Sequence, residues 1–357
     1  MQNSKKILIV CPYPFNLAPG QRFKYEQYLS FLSSNGYSFD IHPFFSEKYY
    51  KILYEPGNFF LKFFAVLVGY FKRILTIFKL RSYSGVYIFL NVAPFFNIFE
   101  KIYISLSRKI IYDIDDLVFL NKTSEVNKIA SIFRNSYKYF YLMKKSNYVI
   151  TCTSYLYKLA KKYNKNCIDI SSTINTKKYK PKTRKNSPVI IGWSGSYSTG
   201  PYINIIKSIL KKFVKKKICK VLIIGARKKD INESCFNYEN WDKKKEVFTL
   251  NKIDIGVYPL YKDRWVKGKS GLKALQFMAL QIPVVATATG SNFRVIDHKK
   301  NGFLVNKKSD WAKYLLKLIK NKSIRKKMGI NGRKKVKEFF SVEANKNKYL
   351  KIFQEIF

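Results

Sequence analysis

Histidine is nearly absent from this chain, with His42 and His298 the only two in 357 residues. The five cysteines, Cys11, Cys152, Cys167, Cys219 and Cys235, show no CxxC or other ligand spacing. Zinc needs clustered Cys and His, so no metal site is expected and the cysteines read as free thiols in a reducing cytoplasm. Acidic residues are scarce as well, 22 Asp and Glu against 68 Lys and Arg, a formal charge of +46. Such a field attracts phosphorylated substrates, anionic lipid or nucleic acid. The basic residues are dispersed, and no helix-turn-helix, RNA-recognition or zinc pattern accompanies them. A basic nucleic-acid-binding protein is therefore the alternative reading, with no specific nucleic acid expected as partner. Lys5 and Lys6 run into only about four apolar residues, too short for a signal peptide. At 47% hydrophobic and 25% charged the composition is globular, and the length suits two domains.

What is present is clearest at residues 265–290. Lys267, Gly268, Lys269, Ser270 and Gly271 form a basic, glycine-bearing turn. Leu272, Leu275, Gln276 and Ala279 then fall at helical spacing, Pro283 ends the helix, and Val284, Val285 and Ala286 read as a buried strand. A helix that starts after such a turn offers free backbone N–H groups and a positive dipole end to an anion. With Lys267, Lys269 and Lys273 beside it, the turn is a candidate diphosphate cradle.

The segment resembles the donor-binding region of family-4, group 1 type glycosyltransferases, through the pattern KxK-x3-K-x2-QxMA-x3-PVVAT-x2-G. That family implies the GT-B fold, an α/β architecture of two Rossmann-like parallel-sheet domains facing a cleft, with a C-terminal helix crossing back to the first domain. Many members carry two glutamates seven residues apart at this place; here the positions hold Gly268 and Gln276, and Gln281 stands where glycine is common. A catalytically inactive nucleotide-sugar-binding protein is thus a second alternative.

Taken in order, residues 6–12 are a buried strand, 13–21 a loop, 22–32 a helix and 39–43 a second strand, the opening of an α/β domain. Gly20 and Arg22 sit where the loop meets the helix; in the family a Gly-rich turn here lines the cleft. Residues 59–80 are nearly continuous in apolar residues, and Lys62, Lys72, Arg73 and Lys79 gather with Ala65, Gly69 and Thr76 on one narrow face. Two readings stay open for this helix. One lays it in an anionic membrane interface; the other buries it under the first sheet with its lysines reaching water. Residues 85–90 are a strand and 95–108 a helix. Residues 109–117 form a strand ending in Asp113, Asp115 and Asp116, a possible DxD metal motif but closer to the YDIDD of the same glycosyltransferase branch. There Asp115 or Asp116 would orient or deprotonate an acceptor hydroxyl, or Asp116 would cap the next segment. A helix at 131–145, a strand from 148, an N-cap at Ser154, a helix at 155–163 and a strand from 167 close this half. Residues 177–188 read as a linker.

Residues 189–196 open the second half as strand and Gly/Ser loop, with Trp193, Ser194, Gly195 and Ser196 where the family often has Arg and Lys, followed by a helix at 202–216. The expected domains are 1–180 for the acceptor, 188–340 for the nucleotide-sugar donor and 341–357 for the returning helix. The resemblance implies transfer of a sugar from a UDP- or GDP-sugar to a hydroxyl acceptor, retaining and without a metal cofactor. Lys269 is the expected catalytic cation, with Ser270, Gly271, Lys273 and Gln276 completing the donor site. Charge and the 59–80 helix imply a glycan or lipid-linked acceptor, as in surface polysaccharide assembly, at the cytoplasmic face of the cell membrane.

Overall fold

The computed structural model describes residues 4–53, 55, 57–120, 135–184 and 186–357, and the chain divides into two compact units. The first comprises Met1–Ser172 with Asn345–Phe357, the second Thr173–Ala344.

In the first unit, β1 (Lys5–Cys11), β2 (Tyr37–Pro43), β3 (Gly85–Phe89), β4 (Ile110–Ile114), β5 (Tyr148–Thr151) and β6 (Cys167–Asp169) form one parallel sheet, in the order β2-β1-β3-β4-β5-β6. β3 and β4 are buried along their whole length. A sheet covered on both faces requires such unbroken Val/Ile-rich runs, which is why the strands read so clearly in the sequence. In the second unit, β7 (Val189–Ser194), β8 (Cys219–Ile224), β9 (Asn237–Glu239), β10 (Ile255–Tyr258), β11 (Val284–Thr287) and β12 (Gly302–Val305) pair in parallel as β12-β11-β10-β7-β8-β9. Counted from β7, this is the 3-2-1-4-5-6 winding of a dinucleotide-type fold, while the first sheet follows the other doubly wound order. In such sheets a ligand binds outside the carboxyl ends of the strands where the order reverses. Those places are β1/β3 in the first unit and β7/β10 in the second.

Several elements differ from the sequence expectation. The helix expected at 22–32 is broken into Pro19–Arg22, a 3-10 turn Tyr25–Tyr28 and Leu29–Ser33, because Lys24 leaves helical geometry with φ −115° and ψ −119°. The helix expected at 202–216 begins as a 3-10 segment, Tyr197–Ile205, before Lys207–Lys215. The N-cap near 154 is Thr153, whose hydroxyl accepts from the Leu156 amide at 3.2 Å, so Ser154 is already inside the helix. The helix expected at 131–145 is seen as Tyr137–Lys145; residues 131–134 lie outside the described residues.

The helix Phe59–Ile77 is turned the opposite way to a core helix. Its buried residues are Ala65, Gly69, Arg73 and Thr76, while Phe60, Phe63, Phe64, Leu67 and Phe71 are exposed, Phe60 to 91%. The small residues permit close approach: a Cβ at Gly69 would strike the Phe44 ring. Arg73 has no exposed surface, and donates to the carbonyls of Val92 at 2.7 Å, His42 at 2.9 Å and Cys11 at 3.0 Å. The reading of a helix buried by its apolar face is therefore overturned. Arg73 faces the domain interior, whereas Lys72 and Lys79 remain exposed.

Candidate functional site

In the second unit the loops after β7 and β10 meet the order reversal. After β7, Gly195 donates its amide to the Ile224 carbonyl at 3.0 Å, and Gly225, with φ +85°, donates to Glu239 at 2.9 Å. A Cβ on Gly225 would strike the Gly195 carbonyl, so two glycines let these strand ends close together. Ser196 accepts and donates within a capping box with Thr199, and its hydroxyl lies 2.8 Å from that of Ser198. Ser194 is buried. The Trp193 side chain lies in the core, 2% exposed, packed with Ile191, Ile203 and Val221, and offers no surface to a ligand.

After β10, the 3-10 turn Trp265–Gly268 is set by Asp263, whose carboxylate accepts from the Val266 amide at 3.0 Å. Gly271, at φ +80°, is the N-cap of the helix Leu272–Ala279. Only a residue without a side chain takes that conformation freely, which explains the glycine where the turn becomes a helix. The loop after β11 braces this turn. Gly290 approaches the Val266 carbonyl so closely that a Cβ would stand 2.8 Å from it, and the Thr287 hydroxyl accepts from the Leu260 amide at 2.9 Å. Lys267 is exposed, Ser270 is buried, and Lys269 is half-buried with its ammonium 5.3 Å from the Trp265 ring centre. Lys273 donates to Gln276 Oε1 at 3.1 Å. Gln276 itself is 1% exposed, and its amide donates to the Tyr179 hydroxyl at 2.8 Å and to Glu246 at 3.2 Å. Trp241 Nε1 donates to the same Glu246 oxygen at 3.1 Å. Gln276 thus orients Lys273 and Glu246 rather than facing solvent. Neither Glu246 nor Tyr179 stood out in the sequence, since each lies outside any glycine-rich or charged motif.

In the first unit the structure brings Gly20 and the β4 carboxylates together. Gly20 lies against Asp115, where a Cβ would stand 2.8 Å from Oδ2. Burial raises the Asp115 carboxyl to about 6, with Lys24 and a hydrogen bond from Cys152 pulling the other way. Asp116 takes φ +71°, a strained conformation for a residue with a side chain, and its Oδ1 accepts from the Leu117 amide at 2.9 Å. It caps the turn that carries Asp115. Asp113 is fully buried: Oδ1 pairs with Lys24 Nζ at 3.1 Å and Oδ2 accepts from the Tyr87 hydroxyl at 2.5 Å. Asp113 is thus held in an ion pair with Lys24 and a hydrogen bond from Tyr87. Arg22 is largely buried with its guanidinium 5.1 Å from the Phe23 ring centre. Gln21 pins the preceding loop through Tyr13 at 3.0 Å and Glu26 at 3.0 Å. Lys24 and Tyr87 are the residues that sequence reasoning missed here.

Residues 176–335 match the family described as glycosyl transferases group 1. A human alpha-1,3/1,6-mannosyltransferase is 37% identical over 75 residues, 21% of this chain and 18% of the relative. An uncharacterized glycosyltransferase of Methanocaldococcus jannaschii is 25% identical over 272 residues, 67% of this chain and 68% of the relative. A sucrose-phosphate synthase of Thermosynechococcus elongatus shares the fold with a TM-score of 0.71 at 14% identity, covering 98% of each chain. Anabaena HepE in complex with UDP-glucose does so with a TM-score of 0.69 at 12% identity, over 98% of this chain and 99% of that one. Two six-stranded parallel sheets with flanking helices are the GT-B fold.

Proposed function

We propose that this chain, whose residues 176–335 match the group 1 glycosyl transferases, is a glycosyltransferase that moves a sugar from a nucleotide-sugar donor to a hydroxyl acceptor presented at an anionic membrane surface. The observation that carries the donor half is the basic, glycine-closed turn at 267–271, which follows β10 at the β7/β10 reversal and is braced by Gly290. Backbone amides at the start of Leu272–Ala279 and the ammonium groups of Lys267 and Lys269 supply positive potential for a diphosphate. HepE, solved with UDP-glucose, supports a uridine or similar nucleotide as the first donor to try.

In the transfer, the bond between the anomeric carbon and the diphosphate oxygen breaks, and its electron pair leaves with the nucleoside diphosphate. Lys269 and the helix start meet that developing charge. The acceptor oxygen forms the new bond to the anomeric carbon, and its proton passes to a carboxylate. Asp115 is the candidate, since a group raised to about 6 is ionised at neutral pH yet holds a proton well enough to receive one. For the donor's configuration to be retained, the acceptor oxygen bonds on the face from which the diphosphate leaves, and in this proposal the charge is met by side chains and backbone dipoles without a metal cofactor.

The membrane half rests on the helix Phe59–Ile77. A run of Phe, Leu and Ile left in water on one side of a helix is the kind of contiguous apolar patch that marks an interaction site. Phe78, Phe96 and Ile98 are exposed too, and Tyr70 bonds the Phe95 backbone at 3.2 Å, fixing the 95–98 loop to the flank of this helix. Lys72 and Lys79 are exposed on or just after it, and the chain carries +46. Among the described residues no helix is long and apolar enough to cross a membrane, so the fitting geometry is a helix lying in the headgroup region. The acceptor is then lipid-linked and the protein peripheral on the cytoplasmic face. Incubating the protein with radiolabelled UDP- and GDP-sugars and total bacterial lipid tests this. Label should appear in the organic phase, and transfer only to water or to soluble sugars would overturn the lipid acceptor.

A further inference from the structure

The segment from Gly20 to Lys24 touches two of the three carboxylates at the β4 end. Gly20 abuts Asp115, and four residues later Lys24 reaches Asp113. Lys24 Nζ also donates to the carbonyl of Thr151 at 3.2 Å and of Ile170 at 2.8 Å. The ammonium thus donates to the end of β5 and to the chain just after β6, and lies in ionic contact with Asp113 at the end of β4. Both Lys24 and Asp113 have no exposed surface. Burying an ammonium is costly, and only a full set of partners holds it in place.

We propose that Lys24 is a positioning residue: it fixes Asp113, and with it the turn that presents Asp115, at the carboxyl edge of the first sheet. The inference rests on the reading of Asp115 given above. Burial opposes the charge of Lys24, but Asp113, Cys152 and Asp115 outweigh it and hold the ammonium above its ordinary value. The groups facing Asp115 include Lys24, Cys152, Asp116, Asp113 and Tyr349. Tyr87, Tyr25 and Tyr349 face Asp113 from β3, from the 3-10 turn Tyr25–Tyr28 and from the C-terminal helix Val342–Ile356. Lys24 is the single cation among them. It offsets the carboxylates around Asp115, so its charge must be visible in how Asp115 titrates.

The test follows the 13C carboxyl resonances of aspartate in the full-length protein against pH, with Asp115→Asn identifying the Asp115 signal. Asp113→Asn leaves Lys24 without its neighbouring anion, and Asp115 should then titrate about one unit lower. Lys24→Met removes the cation, and Asp115 should titrate higher. Opposite displacements support the proposal; an unmoved Asp115 signal, or displacement in the same direction, overturns it. Should Lys24→Met fail to fold, Lys24→Gln is read in its place. Sugar transfer in Asp115→Asn is read separately. Transfer that persists there removes the role assigned to Asp115, while the titration still decides whether Lys24 governs that carboxyl.

Discussion

Arg73 Nε donates to the Val92 carbonyl across 2.7 Å, from a helix whose outward side is apolar. Charge inside and phenylalanine outside is the reverse of a soluble amphipathic helix. The inward arginine satisfies three carbonyls at the ends of β1, β2 and the β3 loop, and so ties the apolar helix rigidly to the sheet.

Removing that tie should be costly. Arg73→Leu leaves three buried carbonyls without their donor, a loss on the order of 3 kcal/mol. Urea unfolding followed by circular dichroism checks this, and a loss near zero would show that the helix is held by other contacts.

The outward face should behave oppositely. Phe63→Asp with Phe71→Asp alters exposed positions, so stability should change by no more than about 0.5 kcal/mol. Flotation with vesicles containing phosphatidylglycerol should nevertheless be lost, while the unaltered protein floats with them and releases as salt rises. Retained flotation in the double variant would place the membrane contact elsewhere.

Asp115 should cost stability where it is ionised. Its folded value lies above the unfolded 3.8, so its favourable contribution is fully present below about 3.8 and is lost as pH rises through about 6. Asp115→Asn should therefore stabilise the fold at pH 7 by something on the order of 2 kcal/mol, with the gain vanishing towards pH 4. Thermal melts at the two pH values read it directly. Equal melting temperatures at pH 7 would mean that the carboxyl is not strained by burial.

Gly225→Ala should disable the second unit's loop. The residue sits at φ +85° and its new Cβ meets the Gly195 carbonyl, so at least about 2 kcal/mol is lost and the β7 loop is displaced. Calorimetry should show weakened nucleotide binding in whatever fraction stays folded. Undiminished binding would detach this loop from the donor site.

The strands were legible because each is a short Val/Ile-rich run, and strand, loop and helix recurring in two halves gave the α/β class, while GT-B came with the resemblance of residues 265–290. The turn at 267–271 was legible because glycine, lysine and a following helical period lie side by side in the chain. Lys24 was hidden for the opposite reason: its partners Asp113, Thr151 and Ile170 are remote in sequence, and it lies in a stretch whose periodicity reads as unbroken helix. Arg73 shows a different limit. Helical periodicity correctly groups Arg73 with Ala65, Gly69 and Thr76, but a projection does not say which face turns inward. The small residues of that stripe were the available signal, since they permit the close approach to Phe44.

The most direct test of the central claim is calorimetric titration of the full-length protein and of Lys269→Ala with UDP, GDP, ADP and their sugars, with and without EDTA. The account predicts binding of one nucleotide class, unchanged by EDTA and weakened at least tenfold, about 1.4 kcal/mol, in Lys269→Ala. No binding of any nucleotide, with salt-sensitive binding of nucleic acid in its place, would contradict it.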